Sequence, residues 1–478
     1  MRDRLPLIAL LGAATWSAWA CAAAPRVPEA LPTPDESVIE DQTGSSPAFT
    51  NRPHVPTGPL PAPAPISAVD ENGQLVDPIA SLQALLDAGE VTFSFDSVTG
   101  YLPSVLAALD IPLSSQTLIF SRTSLQTMNI SPWAPRGVYF NDDVYIGYVS
   151  DESPILEIGA VDPDDGGTFY ILPQDPDSPP AFLKQTRDCL GCHEAGPTMR
   201  VPGFLVRSTV VDRHGWTIRT LHDEQVTDRT PWDERFAGWY VTGTHEGPSH
   251  GGNVRAELES HEVDNPDHFA ATFDLAGGGN VTDLSDRLDL SVYLSEHSDV
   301  VALLVMTHQS RIHNVITTVH TTVEEALRDQ TAARVTRGIE IPESGLTATT
   351  EVRIESAVEQ LVREMFFSRE APIPGPVRGT TTFAEDFESR GPFDQQGRTL
   401  RSFDLETRLF RYPFSFLVYS EAFDAIPDVA KSRLYARIDD VLSGREQSAE
   451  YAHLDADTRT AIRDILMQTK ADFAAAVQ

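Results

Sequence analysis

The chain has 478 residues and a formal net charge of −34, from 36 Lys and Arg against 70 Asp and Glu. That balance excludes nucleic acid as a partner, because phosphate binding needs a basic surface. It favours solubility and encounter with a basic redox or binding partner, and it is equally the composition of a protein adapted to a saline habitat.

Met1–Ala24 reads as an export signal. Arg2 and Arg4 form its basic start, and Leu5–Trp19 an apolar stretch too short for a comfortable membrane span. Ala18-Trp19-Ala20 fits a small-x-small cleavage site, and with Cys21 it also resembles a lipobox, with Trp19 the departure from that pattern. Both readings stand: Cys21 is a candidate lipid anchor, or it leaves with the leader. Pro25–Asp70 is rich in Pro and Ala, as in Leu60-Pro61-Ala62-Pro63-Ala64-Pro65. Such a linker cannot bury enough apolar surface to offset the entropy of ordering it. No later stretch has 18 unbroken apolar residues, so a protein of the periplasm or cell surface is expected.

The folded part is expected over Glu71–Gln478, as an α+β chain: an antiparallel, β-rich half to His297 and a mostly helical half from Ser298. Ile79–Leu86 places Ile79, Leu82, Leu85 and Leu86 on one helical face. From Val91 to Leu172 the pattern turns to strands, with Thr117–Phe120, Val144–Val149, Ile155–Val161 and Thr168–Leu172 as a meander. Asp164-Asp165-Gly166-Gly167 is its last turn, and Gly166 stands where an EF-hand would need a carboxylate. Gly203–Val211 and Trp216–Thr220 read as a hairpin turning at Asp212–Gly215, with His214 in solvent. Ser298–Arg328 reads as one long helix with Ser298 as cap, followed by helices over Val352–Met365, Asp428–Leu442 and Ala456–Phe473.

Between the two halves stands Cys189-Leu190-Gly191-Cys192-His193. C-x-x-C-H in an exported chain is the attachment sequence for c-type haem. On one helical turn the three side chains share a face, so both thiols reach one porphyrin and the imidazole reaches its iron. Zinc would need more ligands, and the chain's third cysteine, Cys21, lies in the leader. A thioredoxin-like motif would need a βαβ setting, and a disulfide would close too small a loop to help much. The expectation is one covalent haem c, held by Cys189 and Cys192 with His193 as proximal iron ligand.

The sixth iron position separates an electron carrier from a site for chemistry. Met199 follows His193 too closely to cross the iron, and Met306, Met365 and Met467 fall in helical patterns as core. His308 lies in the middle of the apolar stripe Val301, Leu304, Val305, Ile312, Val315, Ile316 and Val319, so it is the candidate distal ligand, with a hydrogen-bonded core histidine as the competing reading. His313 and His320 fall on a more polar flank with Gln309. His313, His245 and His250 are further candidates. Arg207, with Arg187 and Arg200, is a candidate partner for a haem propionate. The leading function is single-electron transfer. The alternative is a peroxidase-like or small-molecule oxidoreductase with an open distal position, for which His245, Glu246 and Arg235 are the candidate acid, base and cation. A haem-based sensor ranks last, because no signalling segment follows.

Seven runs occur in order: Phe120–Gln126, Val138–Tyr145, Cys189–His193, Val201–Ser208, Gly238–His245, His308-Gln309 and Tyr419–Asp424. As a set they resemble a family of exported, single-haem "cytochrome c domain" proteins from environmental bacteria, over residues 75–478. That resemblance implies haem ligation at Cys189, Cys192 and His193, and it implies no reaction.

Overall fold

The computed structural model describes residues 76–150, 153–219, 221–258, 269, 272–342 and 345–477. The expected leader, Cys21 and the Pro/Ala linker lie outside the described residues.

The chain is α+β. A seven-stranded antiparallel sheet fills the N-terminal half in the order β6-β5-β4-β3-β2-β1-β9, and helices fill the C-terminal half. The strands are β1 (Thr117–Ile119), β2 (Arg136–Phe140), β3 (Val144–Val149), β4 (Ile155–Asp162), β5 (Gly166–Pro173), β6 (Leu183–Lys184) and β9 (Trp239–Tyr240). A separate pair is made by β7 (Arg207–Thr209) and β8 (Asp223–Gln225). Strand side chains alternate between two apolar layers, as a pleat requires. Val138, Phe140, Tyr145, Val161 and Phe169 enter one core with the C-terminal helices. Tyr139, Val144, Ile146, Ile158 and Tyr170 enter a second core. That second core is closed by Ile79 and Leu82 of α1 (Pro78–Asp87) and by Leu102, Val105 and Leu106 of α2 (Leu102–Ala108). Asp77 caps α1, accepting from Ile79 N and Ala80 N.

Short helix α3 (Leu190–His193) follows β6. The organising element is α4 (Val300–Arg337), 38 residues and so about 57 Å long. It begins and ends differently from the expectation. Its cap is Asp299, whose carboxylate accepts from Val301 N and Ala302 N, and its end is Gly338 in the left-handed conformation at φ 63°. Ser298 instead donates to Tyr240 O at 2.6 Å and accepts from Leu118 N at 2.8 Å, tying the helix start to the sheet. From Val300 to Ser310 every residue is buried, so the helix is surrounded rather than amphipathic, and the "polar flank" of Gln309, His313 and His320 is interior too. Helices α5 (Ala348–Met365), α6 (Phe383–Ser389), α7 (Asp428–Leu442), α8 (Ala456–Thr469) and α9 (Ala471–Ala476) complete the half. Lys470 splits what the pattern presents as one last helix.

Two other readings change. Residues 102–108 are helix rather than strand, with Pro103 in the first turn, where its missing N–H costs nothing. Arg207–Thr209 pairs with Asp223–Gln225, while Trp216–Thr220 contributes only the bridge Val211↔Thr217. The turn at Asp212 is real: its Oδ1 accepts from His214 N and Trp216 N. No helix among the described residues is long and apolar enough to cross a membrane.

Candidate functional site

The Cys189–His193 segment forms one helical turn, with Cys192 N and His193 N both donating to Cys189 O at 3.1 and 3.0 Å. Cys189 is half-buried against the core, Cys192 is exposed, and no disulfide joins them. Burial, then the charges of Glu157 and Asp188, pushes the Cys189 thiol up to about 11. It is therefore a protonated thiol at neutral pH, unsuited to bind zinc or act as a nucleophile unless a partner draws the proton off.

His193 is the positioned member. Its Nδ1 lies 2.8 Å from Gly203 O. A carbonyl only accepts, so Nδ1 carries the proton and Nε2 keeps its lone pair. No hydrogen bond from a described residue reaches Nε2. The ring rests on Phe169 at 4.5 Å between centroids. Burial holds the imidazole below its ordinary pKa, so it stays neutral. An orienting hydrogen bond on one nitrogen and an available lone pair on the other is the arrangement of a metal-ligating histidine.

Gly203 can fill this role because nothing larger fits there. Its N–H returns to His193 O at 2.9 Å, and Gly167 N donates to Pro202 O at 2.9 Å. A Cβ on Gly203 would come 2.1 Å from Asn314 Oδ1. Asn314, on α4, brackets the next residue like a strand partner, with Oδ1 accepting from Phe204 N at 2.8 Å and Nδ2 donating to Phe204 O at 2.6 Å. The segment that follows the Cys189–His193 turn is thus clamped between β5 and the central helix.

Beside it, on the same sheet face as Phe169, the next row of side chains runs Glu157 (β4), Ile171 (β5) and Leu183 (β6). Arg136 Nη1 pairs with Glu157 Oε2 at 2.6 Å, and Arg136 Nε is buried without a partner. Glu157 acts electrostatically on both Cys189 and His193, and Arg136 on His193.

Of the other expected residues, His313 packs near this turn, edge-on to Phe204 at 6.0 Å, with Phe204 5.8 Å from Phe169. His308 is fully buried and both its nitrogens are engaged: Nδ1 donates to Asp228 Oδ2 at 2.8 Å, and Nε2 accepts from Ser415 Oγ at 2.9 Å. Its ring stacks on Phe367 at 4.3 Å and 11°. Neither nitrogen is open to iron, so the expected distal ligand is here a satisfied core histidine. Ser415–His308–Asp228 has the connectivity of a hydrolytic triad. With Ser415 and His308 wholly buried, it joins α4 to two loops. His313 gives Nε2 to Asp142 O at 2.8 Å, and burial holds its pKa near 4.

Arg207, the expected propionate partner, pairs with Asp223 across the β7–β8 hairpin, while Arg187 and Arg200 are exposed. Arg235 is buried, donating to Thr230 O at 2.7 Å and Asp228 O at 3.0 Å, whereas Glu246 is exposed. The His245 ring meets His250 at 5.3 Å and Trp232 at 5.3 Å, and its Nε2 is buried with no hydrogen-bond partner among the described residues. Burial, then His245, holds His250 down to about 3. Met199 turns its sulfur to Gln360 Nε2 at 3.3 Å, between α4 and α5.

Sequence reasoning missed Gly203, Phe169, Asn314 and Glu157. The adjacent glycines Gly166-Gly167 and the Pro202-Gly203 pair were the readable signals of a close crossing. Comparison with protein-family models, with curated proteins and with solved structures finds no match.

Proposed function

We propose that this protein is a c-type monohaem cytochrome that passes single electrons outside the cytoplasm. The observation that carries the reading is His193: Nδ1 fixed by Gly203 O, Nε2 available, on the same helical turn as two thiols. Residues present fit the group. Cys189 and Cys192 would anchor it by thioether bonds, and His193 Nε2 would take the iron. Phe169 and Leu190 offer apolar cover beside the turn, and Ile171 and Leu183 extend it along the sheet face. When bound, the haem supplies a one-electron couple.

The chain's own part is to hold the ligand and set its basicity. Gly203 O fixes the imidazole's tautomer and raises its donor strength. Phe169 fixes the ring's lean. The strongly acidic composition favours a basic partner protein for electron exchange. The resemblance noted above supports export and a single haem. The enzymatic alternative would draw on His245, Glu246 and Arg235, of which Arg235 donates to backbone carbonyls and Glu246 is exposed.

The test is the double variant Cys189→Ala/Cys192→Ala, expressed with its leader in a host that matures c-type cytochromes. The wild type should keep haem on a denaturing gel stained for peroxidase activity, and the variant should show none. Wild-type protein without covalent haem, or a variant that retains it, sinks the proposal.

A further inference from the structure

Large apolar side chains left in water are gathered at one place in this molecule. Eleven are exposed among the described residues, and six of them belong to segments at one end of the seven-stranded sheet. Strand register defines that end: Ile119 closes β1 opposite Arg136, which opens β2, and Val149 closes β3 beside it. The β1–β2 loop leaves from there and carries Leu125, Met128 and Trp133, the last 54% exposed. Trp216, 40% exposed, stands at the Asp212 turn, and that turn is seated on the same loop. Arg122 N donates to Gly215 O at 3.0 Å and Arg122 Nε to His214 O at 2.9 Å. A Cβ on Gly215 would lie 3.5 Å from Pro132 Cδ. Phe95 and Val98 sit on a loop tied to this end by Tyr148 OH, which donates to Val98 O at 3.3 Å, and by Gln174 Oε1, which accepts from Tyr101 N at 2.9 Å.

Each tryptophan carries an arginine. Arg122 Cζ lies 4.7 Å from the Trp216 ring centre and Arg255 Cζ 5.7 Å from that of Trp133, while the His214 ring joins the two sides at 6.2 Å from Trp133. The charge here also runs against that of the chain. Ser121–Asn141 holds two arginines and no carboxylate, in a chain with 70 Asp and Glu. Asp212 is buried, its Oδ1 spent on His214 N and Trp216 N, and Arg255 meets exposed Glu257 at 3.1 Å. The opposite end of the sheet is acidic: Asp142 and Asp143 form the β2–β3 turn, and Asp162, Asp164 and Asp165 surround the β4–β5 turn.

This polarity selects the occupant. A basic protein partner would be drawn to the acidic end. A second copy related by a two-fold axis would set arginine against arginine. Indole rings at headgroup depth, aliphatic tips beside them and arginines reaching phosphate are the residue set of a bilayer interface.

We infer that this end of the sheet rests on an anionic lipid bilayer, with Trp133 and Trp216 seated among the headgroups and Arg122 and Arg255 meeting their phosphates. The contact is peripheral, and the acidic end faces away from the lipid. It does not depend on the haem reading.

The test uses the full chain, expressed with its leader and carrying Cys21→Ser so that no lipid can be attached there. It should float with vesicles of phosphatidylglycerol mixed with phosphatidylcholine, and less with phosphatidylcholine alone. On the vesicles, hydrogen exchange should slow over Ser121–Pro135 and Asp212–Thr217 and stay unchanged at the acidic turns. Trp133→Ser/Trp216→Ser should weaken binding about tenfold or more, since both interfacial rings are gone, and Trp133→Phe/Trp216→Phe should keep most of it. Leu125→Ser/Met128→Ser, on the same loop, should weaken it severalfold, and Val335→Ser, exposed on α4, should not. Cys189→Ala/Cys192→Ala should float like its parent, so that loss of haem and loss of lipid binding are read separately.

A chain that stays in solution with both kinds of vesicle overturns the inference. So does a folded serine variant of either pair that floats like its parent. A dimer by sedimentation equilibrium that the Trp133→Ser/Trp216→Ser variant dissolves gives this end to a second copy and overturns it too.

Discussion

Two histidines divide this molecule. His193 sits on a short turn at the margin of the sheet, with one nitrogen bonded and one available. His308 sits in the middle of α4, wholly buried, with Asp228 on one nitrogen and Ser415 on the other. By hydrophobic patterning His308 looks the more demanding residue, since a polar ring on an apolar face must be compensated. The tertiary structure answers both of its nitrogens with protein groups, whereas half-buried His193 has only Nδ1 answered, by Gly203 O.

The largest expected effect is on the buried side. His308→Ala removes two hydrogen bonds and strands the Asp228 carboxylate, so unfolding free energy should fall by about 3–5 kcal/mol in a urea titration. Any covalent haem should keep its low-spin spectrum as long as the protein is folded. A variant of unchanged stability and altered haem spectrum would reverse the contrast between the two sites.

Gly203→Ala should cost about 1–3 kcal/mol, because its Cβ would fall 2.1 Å from Asn314 Oδ1 and one of the two must move. Unlike His308→Ala, it should also, on the proposed haem reading, disturb the His193 imidazole, read as a shifted Soret band and reduction potential. Equal stability and an unshifted potential would break the assigned clamp.

His193→Ala should cost the apoprotein only about 1 kcal/mol, the net worth of one hydrogen bond, while removing the imidazole proposed to bind iron. A loss as large as that of His308→Ala would show that His193 is a core residue after all.

The smallest effect is a pH slope. Burial, then the Asp228 charge, pushes Glu370 up to about 8 from 4.5. The folded state then binds more protons than the unfolded chain between those values, so stability falls as pH rises through that window. His250 and His313 act in the other direction. Held near 3 and 4, they withdraw stability as pH drops below 6.5. Thermal midpoints should therefore decline on both sides of about pH 6.5, and Glu370→Gln should flatten the alkaline limb and, because its window reaches down to 4.5, steepen the upper part of the acid one. An unchanged alkaline limb would remove Glu370 from the buried network around Asp228.

Local pattern made much of this chain legible. β-branched and aromatic residues in Val144–Val149 and Ile155–Val161 and helical spacing in Asp428–Leu442 survive because each answers a constraint imposed by its own core face. The C-x-x-C-H turn is legible for the same reason: three groups within one turn need no distant partner to share a face. Readings failed where the deciding contact was remote. Trp216–Thr220 has strand character, yet Arg207–Thr209 chose Asp223–Gln225. The stripe through His308 could not announce Ser415, 107 residues away, or Asp228, 80 away.

By itself, then, the sequence determined the α+β layout and the turn that groups Cys189, Cys192 and His193, since both follow from short-range periodicity. Only the tertiary structure decided which histidine is satisfied, because hydrogen-bond partners are brought together by packing and not by spacing. The same packing buried His308 inside the helical half and set Gly203 O against His193.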